Sequence, residues 1–467
     1  MTDAPRDTEE DYKGYRSPGL DTLKKYNTRV WAEVQIDTKG HTYQGFILPR
    51  SETSDEFHIV LKLNTGYNVG VHVDSILDIR QIGYKKAEYK IPEKDFPFSD
   101  DKPHVTLLGT GGTIASRLDY QTGAVIPAFS PGELYGAVPE LADICNLNTR
   151  KIFGVFSEDM GPDQYKILSE EIEKEINNGA QGIVIGHGTD TLGHSAAILS
   201  FMVQNLPVPV VFVGSQRSSD RPSSDAALNL INATKTAAIG DIAEVVVSMY
   251  GPTSDDYCLI HRGTRVRKMH SSYRSTFRTI ADTPLMMVWP DRFKYIHPEI
   301  MRRDPSRKVK IDTAYNRKCT ILYYYPGMNP DLIKATVDAG YEGVIIAGTG
   351  LGHVNHPIHK EIGKAIDQGV IFCMTVQTIW GYVHMHVYEN GRKLLELGII
   401  PLENMIVETA YMKLCWVMGH TKNPKEVKSM MLTPINHEIT EREPYNGYMV
   451  LQGGIPEVDS FFATHRK

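Results

Sequence analysis

Apolar and polar residues alternate along three short stretches near the start of the chain. Residues 29–36 (RVWAEVQI), 57–63 and 69–73 each place an apolar side chain at every second position, and the turn sequence DTKG follows the first stretch. A period of two is typical of a strand with one buried face, and several short strands close together in the chain favour a small barrel. We therefore predict an all-β barrel domain over residues 1–84.

The alternation stops after Tyr84. Residues 84–103 read YKKAEYKIPEKDFPFSDDKP, a segment rich in charge and proline that has little apolar periodicity. Such a composition is typical of a connection that forms no core of its own. We predict a charged linker over residues 85–103.

From His104 onward, continuous apolar runs alternate with segments of helical period. Runs of this kind are typical of strands buried on both faces of a parallel sheet, with helices as the right-handed crossovers. We predict a large α/β domain over residues 104–290. Its predicted strands are HVTLLG, GIVIGHG, VPVVFVGS and AEVVVSMY, and its predicted helices cover residues 167–179 and 223–240.

A second α/β pattern begins after an irregular stretch. Residues 291–317 are rich in proline and basic residues and are predicted to be an irregular connector. Apolar runs then return as CTILYYYPG, GVIIAGTG and VIFCMTVQT, with the helical segment HPIHKEIGKAIDQG between the last two. These runs predict a smaller α/β domain over residues 318–467, so the predicted fold class is α/β with two parallel-rich domains behind a β-barrel.

Composition narrows the class of protein. The 467 residues exceed what one ordinary core holds, and the net charge of −6 argues against broad coating of nucleic acid, which needs a basic face. The N-terminal segment is polar and acidic, and no apolar run approaches the roughly 18 residues of a membrane span, so we expect a cytoplasmic protein with no membrane contact. The five cysteines are isolated from one another and are interpreted as buried thiols.

The first stretch with candidate chemistry is LLGTGGTIAS, residues 107–116. It lacks the third glycine of a dinucleotide-binding loop and the lysine of a P-loop, so neither kind of phosphate site fits. What remains is a glycine-rich loop at the carboxyl end of a strand, the edge where open α/β sheets bind ligands. Thr110 and Thr113 lie in this loop, and each could serve a site or simply cap the next helix.

Two further stretches carry polar side chains beyond a predicted strand. In GIVIGHGTDTLGHSA, Thr189 and Asp190 combine a hydroxyl with a carboxylate, which suits a substrate ammonium or a proton relay; a helix cap is the alternative. In HRGTRVRKMHSSYRSTF, Lys268 could act as the base for a threonine, but a solvated basic face is also possible. The local sequence does not separate Lys268 from Arg265 or Arg267. The histidines of HVNHPIHK and HMH lack a convincing set of ligands, so we expect no metal site.

Taken together, these motifs resemble the bacterial-type L-asparaginase family. The resemblance rests on TGGTIAS (110–116), HGTDT (187–191) and RVRKMHSS around Lys268, in this order. SEDMGP (157–162), GSQR (214–217) and AGTGLGHV (347–354) extend it over roughly residues 104–440. It implies an amidohydrolase with a threonine nucleophile.

The resemblance also implies a role for each matching residue. Thr113 would be the nucleophile, with Thr189, Asp190 and Lys268 as its proton relay and Tyr120 as a hydrogen-bond partner on a loop. For substrate binding, the implied set is Gly112 and Gly188 through their loop backbone, Ser157 for the α-carboxylate and Glu158 as a polar contact. Asp190 would also hold the α-ammonium group.

The barrel and linker ahead of the asparaginase-like body resemble the archaeal glutamyl-tRNA(Gln) amidotransferase D subunits. That resemblance implies a glutaminase that passes ammonia to a partner, the E subunit, which would hold ATP and Mg²⁺ and amidate Glu-tRNA(Gln). No cofactor is expected in this chain, and a homodimer within a heterotetramer is implied. The alternative is a free-standing asparaginase or glutaminase with a regulatory N-terminal domain; a non-catalytic amino-acid sensor fits less well because Thr113 and Lys268 are both present. The preference for glutamine over asparagine is left open, since one methylene changes binding by only about 1–3 kcal/mol.

Overall fold

The computed structural model describes residues 9–50, 54–63, 68–84, 98–111, 116–118, 125–127, 138–217, 223–252 and 254–444. The predicted barrel region is a five-stranded antiparallel sheet in the order β4-β3-β2-β1-β5, preceded by a turn of 3₁₀-helix (Glu9–Tyr12) and a short α-helix. Its elements are α1 (Gly19–Lys25), β1 (Ala32–Thr38), β2 (Thr42–Ile47), β3 (His58–Leu63), β4 (Asn68–His72) and β5 (Ile76–Tyr84).

The alternating pattern is confirmed by the side chains that this sheet buries. Val34 and Ile36 of β1 and Ile59 and Leu61 of β3 are fully buried, while the residues between them, Gln35 and Val60, are only partly buried. Helix α1 was not predicted; it closes one end of the core through Leu23, which is also fully buried. Strand β5 ends at Tyr84, where the linker is predicted to begin, and residues 85–97 lie outside the described part of the chain.

The next part of the chain forms an α/β domain around an eight-stranded sheet in the order β18-β17-β14-β13-β12-β10-β6-β9. Its strands are β6 (His104–Gly109), β7 (Ser116–Leu118), β8 (Val125–Pro127), β9 (Asn146–Lys151), β10 (Ile183–Gly186), β11 (Val203–Gln204), β12 (Val210–Val213), β13 (Val245–Tyr250), β14 (Cys258–Arg262), β15 (Val266–Lys268), β16 (Phe277–Thr279), β17 (Met286–Val288), β18 (Phe293–Tyr295) and β19 (Lys310–Ile311). Its helices are α2 (Leu141–Ile144), α3 (Pro162–Asn177), α4 (Leu192–Met202) and α5 (Ala226–Ile239).

The four predicted strands of this domain are confirmed as β6, β10, β12 and β13. They pair in parallel with one another, and β9 extends the parallel part beyond β6. All four residues of β10 and all four of β12 are buried, which explains why they read as continuous apolar runs. On the other side of β13, strands β14, β17 and β18 pair antiparallel, so the sheet is mixed.

The stretch 291–317, predicted to be irregular, contains two short strands. Phe293–Tyr295 pairs with β17 at the edge of the large sheet, and Lys310–Ile311 pairs with β11. The prediction missed them because neither strand is a buried apolar run: Phe293–Tyr295 forms a partly exposed hairpin with β17, and Lys310–Ile311 pairs with a strand distant in sequence.

The second α/β domain has a four-stranded parallel sheet in the order β20-β21-β22-β23. The three predicted strands and the helix between the last two are present, and the predicted fold class is thereby confirmed. The elements are β20 (Cys319–Tyr323), α6 (Asp331–Asp338), β21 (Gly343–Gly348), α7 (His356–Asp367), β22 (Ile371–Val376), α8 (Glu389–Leu397), β23 (Ile400–Pro401), α9 (Val407–His420) and α10 (Pro424–Leu432).

Helix α9 joins the two α/β domains. It packs against α4 of the large domain and against β20 and β21 of the small one, and its buried residues Leu414, Cys415 and Val417 belong to a core that both domains share. The same helix carries Lys413, whose fully buried ammonium lies 2.6 Å from the Glu438 carboxylate. All five cysteines are buried free thiols, as predicted. None of the helices in the described residues combines the length and apolarity that a membrane crossing requires.

Candidate active site

The loops that follow β6 and β10 lie side by side, because these two strands are parallel neighbours in the sheet. Thr110 fixes their spacing: its backbone N–H and its Oγ1 both donate to the Gly186 carbonyl, at 3.0 Å and 2.8 Å. The residues that a helix cap by Thr110 would serve, 112–115, lie outside the described part of the chain. The Thr110 hydroxyl ties the first glycine-rich loop to the second.

Gly111 explains part of the glycine content of the first loop. Its φ is +123°, a conformation that residues with a side chain rarely adopt, and a Cβ at this position would collide with the Val155 carbonyl oxygen. The loop thus passes against residue 155, two positions before Ser157. The predicted nucleophile Thr113, together with Gly112 and Tyr120, lies outside the described residues, so the roles given to these three stay predictions.

Three of the predicted residues meet at the end of β10. Lys268 Nζ donates to Thr189 Oγ1 at 2.9 Å and to Asp190 Oδ1 at 2.8 Å. Thr189 is buried and the Lys268 side chain is 14% exposed, whereas Asp190 is 69% exposed and has its second carboxylate oxygen free of this pair. A lysine, a hydroxyl and a carboxylate are thus within hydrogen-bond reach at the carboxyl edge of the sheet.

The hairpin of β15 and β16 places Lys268 beside Thr189 and Asp190, whereas the neighbouring arginines lie elsewhere. Arg265 is fully buried and donates to the carbonyls of Asn404 and His437, both at 2.8 Å. Arg267 turns to the opposite face of β15 and pairs with Glu408 of α9 at 3.3 Å. The alternative of a solvated basic face is therefore wrong for this stretch.

The HGTDT segment does not cap helix α4 with its side chains. The residue before the helix is Thr191, which makes no capping hydrogen bond; its hydroxyl donates instead to the Ser157 carbonyl at 2.5 Å. Asp190 is paired with Lys268. Both side chains that a helix cap would use are committed to other contacts, so the alternative of a capping box is wrong.

Ser157 and Glu158 open a short turn of 3₁₀-helix, Ser157–Asp159, that packs on the same loop. Ser157 is buried, and its hydroxyl lies 3.5 Å from the Glu158 carboxylate. Gly188 faces Ser157 so closely that a Cβ there would lie 2.8 Å from the Ser157 Cβ. The structure therefore brings Ser157, Glu158 and Gly188 together with Thr189, Asp190 and Lys268.

Two supporting residues were given no role by the sequence motifs. A Cβ on Gly214 would come within 2.8 Å of Thr189 Cγ2, so this glycine makes room for Thr189. Asp225 is fully buried; it accepts hydrogen bonds from the backbone N–H groups of Gln216 and Arg217, and burial raises its pKa. The GSQR motif signalled this loop, but nothing near Asp225 in the sequence indicates that it holds the loop.

The described residues contain no group of three or more histidine, cysteine, aspartate or glutamate side chains that could hold a metal ion. The site described above is thus made of hydroxyl, ammonium, carboxylate and backbone groups.

Three family profiles match successive parts of the chain. Residues 29–82 match the profile described as GatD N-terminal domain, residues 104–301 match Asparaginase, N-terminal, and residues 318–431 match Glutaminase/Asparaginase C-terminal domain. The matched regions follow the same order as the antiparallel sheet and the two α/β domains.

Curated relatives match almost the whole chain. The Pyrococcus furiosus protein named as the D subunit of glutamyl-tRNA(Gln) amidotransferase is 48% identical over 434 residues, covering 92% of this chain and 99% of its own length. The protein of the same name from Thermococcus kodakarensis is 49% identical, covering 87% of this chain and 92% of its own length. The one from Methanothermobacter thermautotrophicus is 43% identical, covering 92% of this chain and 98% of its own length.

Solved structures with a similar fold are L-asparaginases. The thermostable L-asparaginase from Thermococcus kodakarensis is 30% identical with a TM-score of 0.65, covering 72% of this chain and 99% of its own. L-asparaginase I from Vibrio cholerae is 26% identical with a TM-score of 0.63, covering 73% of this chain and 99% of its own.

Proposed function

The chain belongs to the family of glutamyl-tRNA(Gln) amidotransferase D subunits, and on this premise we propose that it hydrolyses L-glutamine and supplies the ammonia to a partner protein. The observation that carries the proposal is the contact of Lys268 with both Thr189 and Asp190 at the carboxyl edge of the large sheet. These are the residue types that an amide-hydrolysing threonine needs beside it, since a free hydroxyl is a poor nucleophile at neutral pH.

In the proposed reaction, Thr113 Oγ attacks the side-chain amide carbon of glutamine. Lys268, acting through the Thr189 hydroxyl 2.9 Å away, takes the proton of the nucleophile and returns one to the departing nitrogen. The C–N bond breaks, ammonia leaves and a threonyl ester of glutamate remains. Water then cleaves the ester, releasing glutamate and restoring Thr113.

Backbone and side-chain groups would bind the rest of the substrate. The N–H groups of Gly112 and Thr189 would stabilise the oxyanion, each contributing about 3 kcal/mol by analogy with other acyl-transfer sites. Exposed Asp190 would hold the α-ammonium group, Ser157 the α-carboxylate, and Glu158 would contribute a polar contact. Gly188 lets Ser157 approach this position, because any side chain at residue 188 would occupy the same space.

The partner in this proposal is the E subunit of the amidotransferase. It would bind ATP and Mg²⁺, activate Glu-tRNA(Gln) and consume the ammonia; this chain would need no cofactor of its own. A homodimer within a heterotetramer is the proposed assembly. The N-terminal antiparallel sheet supports this proposal over a free-standing asparaginase, because residues 29–82 match a profile that is named for the D subunit.

Separating the two nitrogen sources tests the proposal. The Thr113→Ala variant, assembled with the E subunit, ATP, Mg²⁺ and Glu-tRNA(Gln), should form no Gln-tRNA(Gln) from glutamine but should form it from ammonium chloride at the wild-type rate. Thr113→Ser is the matched control, since it keeps the hydroxyl. Glutamine-dependent amidation by Thr113→Ala would contradict the assignment of Thr113 as the nucleophile. If the wild-type chain did not support glutamine-dependent amidation, its role as the glutaminase component would be contradicted.

A further inference from the structure

His187 is a buried side chain next to the candidate site that the proposed reaction does not use. It follows β10 directly, and its backbone N–H continues the sheet by donating to the Val213 carbonyl at 2.9 Å. Its ring has no solvent exposure, with Nδ1 lying 2.6 Å from the Gly188 carbonyl oxygen and Nε2 lying 2.8 Å from Ser195 Oγ. Burial lowers the pKa of His187 to about 4, so the ring is neutral near pH 7.

The partners of the ring define which nitrogen carries the proton. A carbonyl oxygen can only accept, so Nδ1 donates to Gly188; a neutral ring then has a bare Nε2, which accepts from the Ser195 hydroxyl. Ser195 is fixed on α4, where its backbone N–H donates to the Thr191 carbonyl at 3.0 Å. A chain of hydrogen bonds therefore runs from the Ser195 hydroxyl through the His187 ring to the Gly188 carbonyl.

That carbonyl belongs to the peptide that joins Gly188 to Thr189. The peptide is trans, so its C=O and its N–H point in opposite directions. With the carbonyl held against the buried ring, the Thr189 N–H points away from the core. Within the described residues no acceptor takes this N–H. A donor to the carbonyl also polarises the amide and strengthens the N–H as a donor.

We propose that His187 is a positioning residue that holds the Gly188–Thr189 peptide with the Thr189 N–H directed at the oxyanion formed during amide hydrolysis. The inference rests on the proposed function, because it assigns the N–H to an oxyanion of that reaction. The inference goes beyond the proposed function because it gives the histidine of the HGTDT motif a task and adds Ser195 to the residues that support the catalytic loop.

Two substitutions at one position test the inference kinetically. His187→Leu removes the Nδ1–H that donates to the Gly188 carbonyl. The kcat of glutamine hydrolysis should then fall by about 10²- to 10³-fold, the usual cost of one oxyanion donor, while KM changes by less than about threefold. His187→Asn places an amide N–H near the position of Nδ1 and should recover at least about tenfold of that loss. His261→Asn is the matched control: His261 is also fully buried, on β14, with Nδ1 bonded to Thr279 Oγ1 at 2.8 Å. It should keep kcat within about threefold.

Three kinetic results would overturn the inference: an unchanged kcat in His187→Leu, no recovery in His187→Asn, or an equal kcat loss in His261→Asn. If His187→Leu does not fold, Ser195→Ala replaces it; this variant keeps the ring but frees Nε2, and we expect a kcat loss of about tenfold, as for other groups that fix a histidine tautomer. An unchanged kcat in Ser195→Ala would then overturn it.

A structural measurement separates this inference from the proposed function. In crystals of His187→Leu, or of Ser195→Ala where that variant replaces it, the Gly188–Thr189 peptide should be rotated relative to wild type, whereas in His187→Asn it should keep the wild-type orientation. An unrotated peptide would overturn the inference. If the wild-type chain hydrolysed neither glutamine nor asparagine, the proposed function would fail, while the peptide orientation would still decide whether His187 positions this loop.

Discussion

Gly188 faces Ser157 at a distance that leaves no room for a side chain. A Cβ at residue 188 would lie 2.8 Å from Ser157 Cβ and 2.9 Å from Ser157 Oγ. Packing alone therefore requires a glycine at this position of the HGTDT motif. The contact links the loop after β10 to the turn that carries Ser157 and Glu158.

We predict that Gly188→Ala raises KM for glutamine more than it lowers kcat, because the added methyl group displaces Ser157 from the position proposed for the substrate carboxylate. The expected rise is about tenfold or more, equal to about 1.4 kcal/mol of binding free energy. Steady-state kinetics of ammonia release measure it. Gly40→Ala is the control, since no atom lies within 4 Å of a Cβ there. An unchanged KM in Gly188→Ala would contradict the role of Ser157.

We predict that Thr189→Val and Lys268→Met each lower kcat by about 10²-fold or more, the usual range for a lost proton-transfer group. Thr189→Val keeps the shape of the side chain but removes the hydroxyl that accepts from Lys268, whereas Thr189→Ser keeps the hydroxyl and should retain most activity. Lys166→Met, at an exposed position on α3, is the control for the loss of a lysine. Full activity in Lys268→Met would exclude Lys268 as the base.

Thr189 and Lys268 should also act as one unit. If Lys268 works through Thr189, the double variant Thr189→Val, Lys268→Met should be about as slow as the slower single variant, since residues that act together are not additive. Multiplication of the two losses in a double-mutant cycle would show instead that each residue acts separately.

The buried pair of Lys413 and Glu438 offers a test of how the C-terminal segment is held. Glu438 accepts from the N–H groups of Ile435 and Asn436 as well as from Lys413. Lys413→Met would leave this carboxylate buried without its cation, and we predict a loss of about 3–5 kcal/mol in the free energy of unfolding. Denaturant unfolding measures the loss, and Lys425→Met at an exposed position of α10 is the control. A loss below about 1 kcal/mol would contradict a buried pair.

The buried histidines predict how stability depends on pH. Burial lowers the pKa of His261 to about 3 and that of His187 to about 4, against an ordinary value of 6.5. Below about pH 6.5 the unfolded chain binds protons that the folded chain does not, so stability falls with falling pH. The loss continues until the folded-state pKa is reached.

Between about pH 6.5 and 4.5, each of these histidines should contribute roughly 1.4 kcal/mol of destabilisation per pH unit. His261→Asn should therefore unfold with a shallower pH dependence than wild type over this range, and His41→Asn, at an exposed position, should not. Thermal unfolding midpoints at several pH values measure the slope. Identical slopes in wild type and His261→Asn would contradict the burial of a neutral ring.

Much of the architecture could be predicted because strands buried on both faces leave an unmistakable apolar run. The run HVTLLG became β6, His104–Gly109, without a shift, and the helix predicted over 223–240 is Ala226–Ile239. The helix predicted from residue 167 begins at Pro162 instead, since the proline occupies its first turn, where no N–H is needed. Helix α1 has no long apolar period, and it was missed.

The site was harder to predict, because its contacts join residues far apart in the chain. Lys268 and Arg267 are equivalent in local sequence; the structure separates them because consecutive residues of β15 point to opposite faces, one toward Thr189 and the other toward Glu408. The family resemblance pointed to Lys268, whereas periodicity did not. His187 and Asp225 went unassigned, since they contact backbone groups that no side-chain motif reveals.

Ammonia release by the purified chain, from L-glutamine and from L-asparagine, tests the central claim most directly. It would be measured without and with the E subunit and Glu-tRNA(Gln). We predict slow glutamine hydrolysis by the chain alone and a sharp increase when the partner and the tRNA are present. Rapid hydrolysis of asparagine that the partner leaves unchanged would contradict the role as glutaminase component and would favour a free-standing asparaginase.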